Sequence, residues 1–177
     1  MTTTPEPVRR SSGSVIRVRA AVAADHAAIL ALNNSAVPHV NALSTEEFAW
    51  LSGHAHFFGV VEDAGEVAGF ALVLPSGVEY WSDNYKWLTA RFDRFLYLDR
   101  VVVAAPARRR GVGRALYDAL FAFARDAWPR ITLEVNLRPP NPDSVRFHER
   151  LGFRTIGVRE YNAGVNAVLM MTRDIEA

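Results

Sequence analysis

Residues 101–114 decide the fold of this chain; they read Val-Val-Val-Ala-Ala-Pro-Ala-Arg-Arg-Arg-Gly-Val-Gly-Arg. The valines end an apolar run from Phe95 that predicts a buried strand. Residues 111–127 predict a helix, because their apolar side chains recur at i, i+3, i+4 and i+7. Two glycines at the turn leave room for a ligand, and the helix start adds unpaired amides beside four arginines. This combination favours a diphosphate site over a plain tight turn with solvated arginines.

The segments on either side of this motif predict a single sheet flanked by helices. A capping box at Ser44 and Glu47 indicates a short helix to residue 51, and Asn141 followed by Pro142 indicates another. Further helical sequence covers 23–32, and 75–94 is expected to be a long aromatic loop. The predicted strands are 15–19, 56–62, 67–74, 95–103, 131–137, 156–158 and 167–172. The expected class is α/β of the α+β type, with a mixed sheet and helices on both faces.

Composition excludes several classes of protein. Cysteine is absent, so disulfides, Cys-ligated zinc and a cysteine nucleophile are ruled out. The formal net charge of +1 argues against a nucleic-acid partner. No apolar run approaches the roughly 20 residues of a membrane span. We therefore expect a cytoplasmic protein without a membrane partner, with a disordered leader over residues 1–14 and one domain over 15–177.

Two motifs resemble those of the GNAT superfamily of acetyl-CoA-dependent N-acetyltransferases. Arg108-x-x-Gly111-x-Gly113 is similar to the family's Arg/Gln-x-x-Gly-x-Gly/Ala signature. Residues 141–153 resemble its Asn-x-x-Ala/Ser-x-x-Phe-Tyr-x-x-x-Gly-Phe segment. The resemblance is specific over residues 95–158. It implies a GNAT-like, mostly antiparallel sheet. It also implies direct transfer of an acetyl or acyl group from acetyl-CoA to a primary amine. The alternative function is a non-catalytic acyl-CoA-binding module.

The resemblance also implies where acetyl-CoA, the expected cosubstrate, binds. The backbone of Val101, Val102 and Val103 would pair with the pantetheine arm like an added strand. Asn141 and Ser144 would contact the far side of the cofactor. An N-cap role for Asn141 needs no ligand and is compatible with this contact, and for Ser144 a plain first-turn position is the favoured alternative. The residues expected to surround the pyrophosphate are Arg108, Arg109, Arg110, Gly111, Val112, Gly113 and Arg114.

Three side chains are candidates for proton transfer. His148 stands where the family usually has a tyrosine assigned as the acid that protonates the leaving thiolate, and imidazole can do the same work; the alternative is a packing role. Asp99 and Glu134 are acids in otherwise apolar strands, where an isolated charge is costly. Asp99 is the expected general base, with a buried ion pair to Arg100 as the alternative, and Glu134 could equally face solvent. The resemblance places the developing oxyanion on a backbone amide of the 95–103 strand.

The acceptor is expected to bind against the first helices and the 75–94 segment. Asn33, Tyr80 and Tyr85 are predicted to contact it, although a helix cap would equally account for Asn33 and packing at the rim for the two tyrosines. The sequence does not identify the amine, and a metal at His54 and His56 is not expected because no third ligand is in view. The expected partners are acetyl-CoA and an amine, with the chain acting as a monomer or homodimer.

Overall fold

The computed structural model describes residues 16–175, which form one seven-stranded mixed sheet with helices on both faces. The predicted fold class is confirmed. The predicted leader, residues 1–14, lies outside the described residues. The strands are β1 (Val18–Ala20), β2 (Phe57–Asp63), β3 (Glu66–Pro75), β4 (Leu96–Val103), β5 (Arg130–Arg138), β6 (Arg154–Tyr161) and β7 (Asn166–Asp174).

Five α-helices connect these strands in the described part of the chain: α1 (His26–Ser35), α2 (Thr45–His54), α3 (Asp83–Thr89), α4 (Val112–Ala124) and α5 (Pro142–Arg150). The capping box that begins α2 is present, since the Glu47 amide donates to Ser44 Oγ at 3.1 Å and the Ser44 amide to Glu47 Oε2 at 2.8 Å. Asn141 caps α5 by accepting the Ser144 amide. Within residues 16–175, each helix is too short or too polar to cross a membrane.

The order of the strands across the sheet is β1-β2-β3-β4-β5-β7-β6. All neighbouring strands are antiparallel except β4 and β5, which run parallel and pair at only two positions, Leu96 with Ile131 and Tyr97 with Thr132. The Thr132 hydroxyl donates to the Leu96 carbonyl at 3.0 Å beside this short joint. Beyond it the two strands diverge, and the split opens a cleft in the middle of the sheet.

Two hydrophobic cores cover the two faces of the sheet. On one face, α4 packs its apolar stripe, including Leu116 and Leu120, onto β2, β3 and β4. Gly69 of β3 allows this close approach, because a Cβ there would lie 2.9 Å from Val112 and 3.0 Å from the Val102 carbonyl. On the other face, α1, α2 and α3 bury residues such as Ile29, Leu51 and Leu88. The cores fix the positions of β4 and the start of α4, which border the cleft.

The expectation of a long loop over residues 75–94 was wrong in one respect, because α3 lies inside it. Five of its seven residues, Asp83, Asn84, Tyr85, Trp87 and Thr89, are weak helix formers, so the sequence carries little local signal. Ser82 caps the helix by accepting the Tyr85 amide at 3.4 Å, and Tyr85 and Leu88 are buried in the core. Tertiary packing therefore overrides local propensity here.

Candidate active site

The candidate site is the cleft between β4 and β5, which has a volume of about 1580 Å³. One wall is β4 with the loop before α4 and Tyr117 of α4, and the other is formed by β5, β6 and β7. The loop between α1 and α2, together with the segment around Trp81, borders the cleft at one end. The α5 residues Ser144 and His148 border it at the other. The cleft thus has two halves: one lies toward α4 and α5, and the other lies toward α3 and β6.

The edge of β4 that faces the cleft is open for backbone hydrogen bonding. Val101, Val102 and Val103 pair with β3 on their other side, whereas pairing with β5 ends at Tyr97. Val102 points into the core and its two neighbours are half-buried at the cleft. Alternate amides and carbonyls of this edge can therefore pair with an extended ligand, as the family resemblance implies for the pantetheine arm.

The loop before α4 borders the same half of the cleft through Ala105, Arg108 and Arg109. Arg109 and Gly111 have positive φ angles of 59° and 89°, a backbone that turns successive N–H groups toward one point. The first amides of α4 have no partner within the helix and carry its positive dipole. A Cβ added at Gly113 would make ordinary van der Waals contact with Phe147 and Val103, at 3.7 and 3.8 Å, so packing within the protein does not itself require glycine there. These groups fit a pyrophosphate.

The four arginines of residues 108–114 divide into two pairs. Arg108 and Arg109 border the cleft, and Arg108 Nε donates to the Val103 carbonyl at 3.3 Å. Arg110 and Arg114 form exposed ion pairs, with Asp63 at 2.6 Å and with Asp118 at 2.8 Å. The geometry therefore favours Arg108 and Arg109 as the side chains that reach a bound phosphate.

A β-bulge in β4 places Asp99 and Arg100 side by side. Leu72 of β3 pairs with Arg100 and Val73 with Leu98, so Asp99 is the extra residue. Arg100 Nε donates to Asp99 Oδ2 at 2.6 Å, and the two side chains are only 7% and 4% exposed. Tyr80 donates its hydroxyl to Asp99 Oδ1 at 2.7 Å. Both oxygens of the Asp99 carboxylate thus accept strong hydrogen bonds.

Glu134 faces Tyr97 across the short parallel joint. The Tyr97 hydroxyl lies 2.8 Å from both oxygens of the half-buried Glu134 carboxylate. Burial raises the pKa of Glu134 to about 7, and hydrogen bonds from Tyr97 and Asn84 only partly offset this effect. Burial and the nearby charge of Glu134 also raise the pKa of Tyr97. The Tyr97 hydroxyl therefore stays protonated and donates a hydrogen bond to Glu134. Glu134 is therefore a carboxylate able to accept a proton near neutral pH.

His148 is enclosed at the cofactor end of the cleft, where it is 5% exposed. Its Nδ1 lies 2.7 Å from the Ser144 carbonyl, which can only accept, so Nδ1 carries the ring proton. Nε2 lies 2.5 Å from the Tyr117 hydroxyl and accepts from it. Burial lowers the pKa of His148, so the neutral ring predominates at neutral pH.

The three residues predicted to contact the acceptor lie in different surroundings. Tyr80 borders the cleft. Asn33 is fully buried, where its Oδ1 accepts from Arg100 Nη1 at 2.9 Å. Tyr85 is also buried, and its hydroxyl donates to the Pro75 carbonyl at 2.7 Å. The structure thus brings Tyr80 to the cleft and gives Asn33 and Tyr85 roles in the core, so acceptor contact by those two stays a prediction.

Sequence reasoning missed Tyr97, Tyr117 and Arg159 as residues of the cleft. Tyr97 was visible as one of few polar side chains in an apolar strand, and Tyr117 lies beside the apolar stripe of α4. Arg159 gave no signal beyond one basic residue in a short strand. Asn84, which contacts both Arg159 and Glu134, was considered only for its position in the 75–94 segment.

Comparison with known proteins identifies this architecture. The model of the "Acetyltransferase (GNAT) family" matches residues 26–153. No curated protein matches the chain in sequence. The ribosomal-protein-S18-alanine N-acetyltransferase of Escherichia coli is a similar structure, with a TM-score of 0.72 and 19% identity over 92% of this chain and 96% of that one. The ribosomal-protein-alanine N-acetyltransferase of Brucella melitensis has a TM-score of 0.68 and 24% identity, over 89% and 99%. The yncA protein of Salmonella typhimurium, solved with acetyl-CoA, has a TM-score of 0.68 and 23% identity, over 93% and 96%.

Proposed function

The chain belongs to the acetyltransferase (GNAT) family, and we propose that within it the protein transfers an acetyl group from acetyl-CoA directly to a primary amine. The observation that carries this proposal is Glu134, a carboxylate with a pKa of about 7 in the cleft where β4 and β5 part. An alkylamine with a pKa near 10.4 is neutral in only about one molecule in a few thousand at pH 7. A base in the cleft is therefore required before the amine can attack.

We assign the role of general base to Glu134 in preference to Asp99. Asp99 is held by the Arg100 guanidinium and the Tyr80 hydroxyl, which occupy both of its oxygens. Glu134 accepts from the neutral Tyr97 hydroxyl, and burial disfavours its charge. The pKa of protonated Glu134 is thus close to the value that suits a general base near neutral pH. The role of Asp99 as base remains the competing hypothesis.

Acetyl-CoA supplies the thioester carbonyl that the amine attacks. The open edge of β4 would hold the pantetheine arm, and its amides would stabilise the negative charge that develops on the carbonyl oxygen. The amides over residues 109–113, with Arg108 and Arg109, would bind the pyrophosphate. Asn141 and Ser144 border the same half of the cleft. Since the chain has no cysteine, transfer in one step suits this site, where positioning of the two reactants supplies much of the rate.

His148 is proposed to protonate the departing thiolate. Its neutral form has no proton on Nε2, so this role needs the imidazolium form, whose Nε2–H faces the Tyr117 hydroxyl. That hydroxyl borders the cleft, and it would give its own proton to the thiolate as it takes the proton from Nε2. Tyr117 holds the ring through Nε2 and is itself enclosed by α4 and α5. Because a thiolate with a conjugate pKa near 8.5 leaves readily without help, the contribution of the acid is moderate.

H148F is therefore expected to lower kcat about tenfold and to leave KM for acetyl-CoA within about twofold. The change also deprives the buried Tyr117 hydroxyl of its acceptor, which costs about 1–3 kcal/mol of stability. The double variant Y117F/H148F removes that unpaired group and serves as the stability-matched control. Steady-state kinetics across pH 6–9 give the measurement. An unchanged kcat and pH profile in both variants would show that His148 only packs.

The proposed activity is tested by following free thiol release from acetyl-CoA with a panel of primary amines. Acceptor-dependent release, with an acetylated amine found by mass spectrometry, supports the enzyme. Binding of acetyl-CoA without turnover on any amine supports the non-catalytic acyl-CoA-binding module instead. A cytoplasmic location, the single-domain organisation of 15–177 and a monomeric or homodimeric state remain predictions from the sequence.

A further inference from the structure

We propose that the acceptor is an amino acid, or a close analogue whose amine and carboxylate are a few bonds apart, and that Arg159 of β6 binds the carboxylate. This inference rests on the proposed function and names its substrate class. It starts from the half of the cleft that the cofactor residues leave open, where Glu134, Asn84 and Arg159 lie together. The amine would lie at Glu134 and the carboxylate at Arg159.

The position of Arg159 is fixed by the packing of α3 on β6. Trp87 of α3 covers Gly157, where an added Cβ would lie only 2.8 Å from the indole ring. One turn earlier in α3, Asn84 lies over Arg159 and accepts a hydrogen bond from Nη1 at its Oδ1. Arg159 is half-buried and its side chain borders the cleft. The guanidinium is therefore held at a defined place in the wall of the cleft.

The charge of Arg159 is not neutralised by the residues that the structure describes. Its neighbours in the two walls form ion pairs, Arg100 with Asp99 and Arg138 with Glu160. Over residues 16–175, Arg159 has no carboxylate partner within ion-pair distance, and its hydrogen bond goes to the neutral amide of Asn84. A guanidinium presents a planar fork of donors that matches a carboxylate. An anionic group on the substrate would complete this arrangement.

The spacing of the two charged groups fits an amino acid. Glu134 pairs with Met170 of β7, and Met170 pairs with Gly157 of β6, two residues before Arg159. Because side chains two residues apart in a strand point to the same side, Glu134 and Arg159 lie on one face of the sheet, with Asn84 over Arg159. A small molecule that bonds to Glu134 through its amine and to Arg159 through its carboxylate therefore carries those two groups only a few bonds apart, as an amino acid does.

The test compares three acceptors of one shape: phenylalanine, its methyl ester and 2-phenylethylamine. With the wild type, kcat/KM for phenylalanine should exceed that for the other two by tenfold to hundredfold, the usual effect of a charged hydrogen bond in a binding site. R159Q should abolish this preference, because kcat/KM for phenylalanine should fall much more than kcat/KM for 2-phenylethylamine. R154Q, a matched change at the exposed start of the same strand, should keep the preference.

Calorimetry of phenylalanine binding to the protein saturated with coenzyme A tests the carboxylate site at Arg159 separately from the acetyltransferase activity. Loss of binding in R159Q but not in R154Q supports the assignment of Arg159, even if no amine is turned over and the acetyltransferase proposal fails. Equal use of phenylalanine and 2-phenylethylamine by the wild type overturns the inference and leaves the acetyltransferase proposal intact. An equal loss for all three acceptors in R159Q also overturns it, because Arg159 then only anchors α3. If no amine is turned over and phenylalanine does not bind, both proposals are overturned.

Discussion

Replacement of Glu134 by glutamine is expected to lower kcat about 100- to 1000-fold, with KM for acetyl-CoA changed by less than about threefold. The amide keeps the shape of the side chain and a hydrogen bond with Tyr97, but it cannot take a proton from the incoming ammonium. Thiol release measured with saturating acetyl-CoA gives the rate. E149Q, the same change at an exposed position of α5, should behave as the wild type.

The pH dependence of the wild type provides an independent check on Glu134. The pKa of Glu134 is raised to about 7, so the base is protonated and inactive below that pH. We expect kcat to fall about tenfold per pH unit below pH 7 and to level off above it, and we expect E134Q to lack this limb. The same raised pKa means that ionised Glu134 opposes folding at higher pH. E134Q should therefore be at least as stable as the wild type at pH 8, which excludes unfolding as the cause of lost activity.

D99N decides between the two candidate bases. If Asp99 serves the ion pair, D99N loses stability and keeps kcat within about tenfold of the wild type. A fall in kcat as large as that expected for E134Q, with the fold retained by circular dichroism, would transfer the role of base to Asp99. The two variants are comparable because each replaces one carboxylate oxygen with an amide nitrogen.

The largest expected effect on stability comes from Arg100. R100M leaves the Asp99 carboxylate buried without its counter-charge and removes the bond to Asn33 of α1. Removing one partner of a buried pair costs about 3–5 kcal/mol, and urea unfolding measures the loss. R154M breaks the exposed pair with Asp174 and should cost less than about 1 kcal/mol.

The double variant D99N/R100M sharpens that comparison. Without the carboxylate charge, the penalty of an unpaired buried ion disappears, so the double variant should recover part of the stability lost in R100M. A loss below about 1 kcal/mol in R100M itself would mean that water reaches Asp99 and that the pair is not enclosed. The carboxylate would then also be free to act as a base.

The strand, turn and helix around the glycine and arginine motif, the helix caps and the apolar strands were predicted correctly in outline, because each is a local pattern. Ser44 and Glu47 lie three residues apart, and Gly111 and Gly113 act through the backbone of one turn. The acceptor half could not be predicted in this way. The contact between Tyr97 and Glu134 depends on the parallel register of β4 and β5, and that between Arg159 and Asn84 depends on a helix whose sequence has weak propensity.

The roles of single acids were equally hard to assign from sequence. Asp99 and Glu134 look alike in the chain, since each is an acid in an apolar strand. What separates them is a neighbour, Arg100 at a bulge for one and the neutral Tyr97 for the other. A bulge changes which side chains lie together, and nothing in the residues 96–103 marks its position.

The two-residue joint between β4 and β5 has a mechanical consequence. Backbone pairing at Leu96 and Tyr97 alone links four strands on one side of the sheet to three on the other. The two parts of the sheet are therefore joined only at one end of β4. A pantetheine arm bonded along β4 would restore continuity across the gap. Saturation with acetyl-CoA should then raise the melting temperature in proportion to the logarithm of its concentration. It should also slow amide exchange in β5 as well as in β4, so the ligand would serve as the missing strand of its own binding protein.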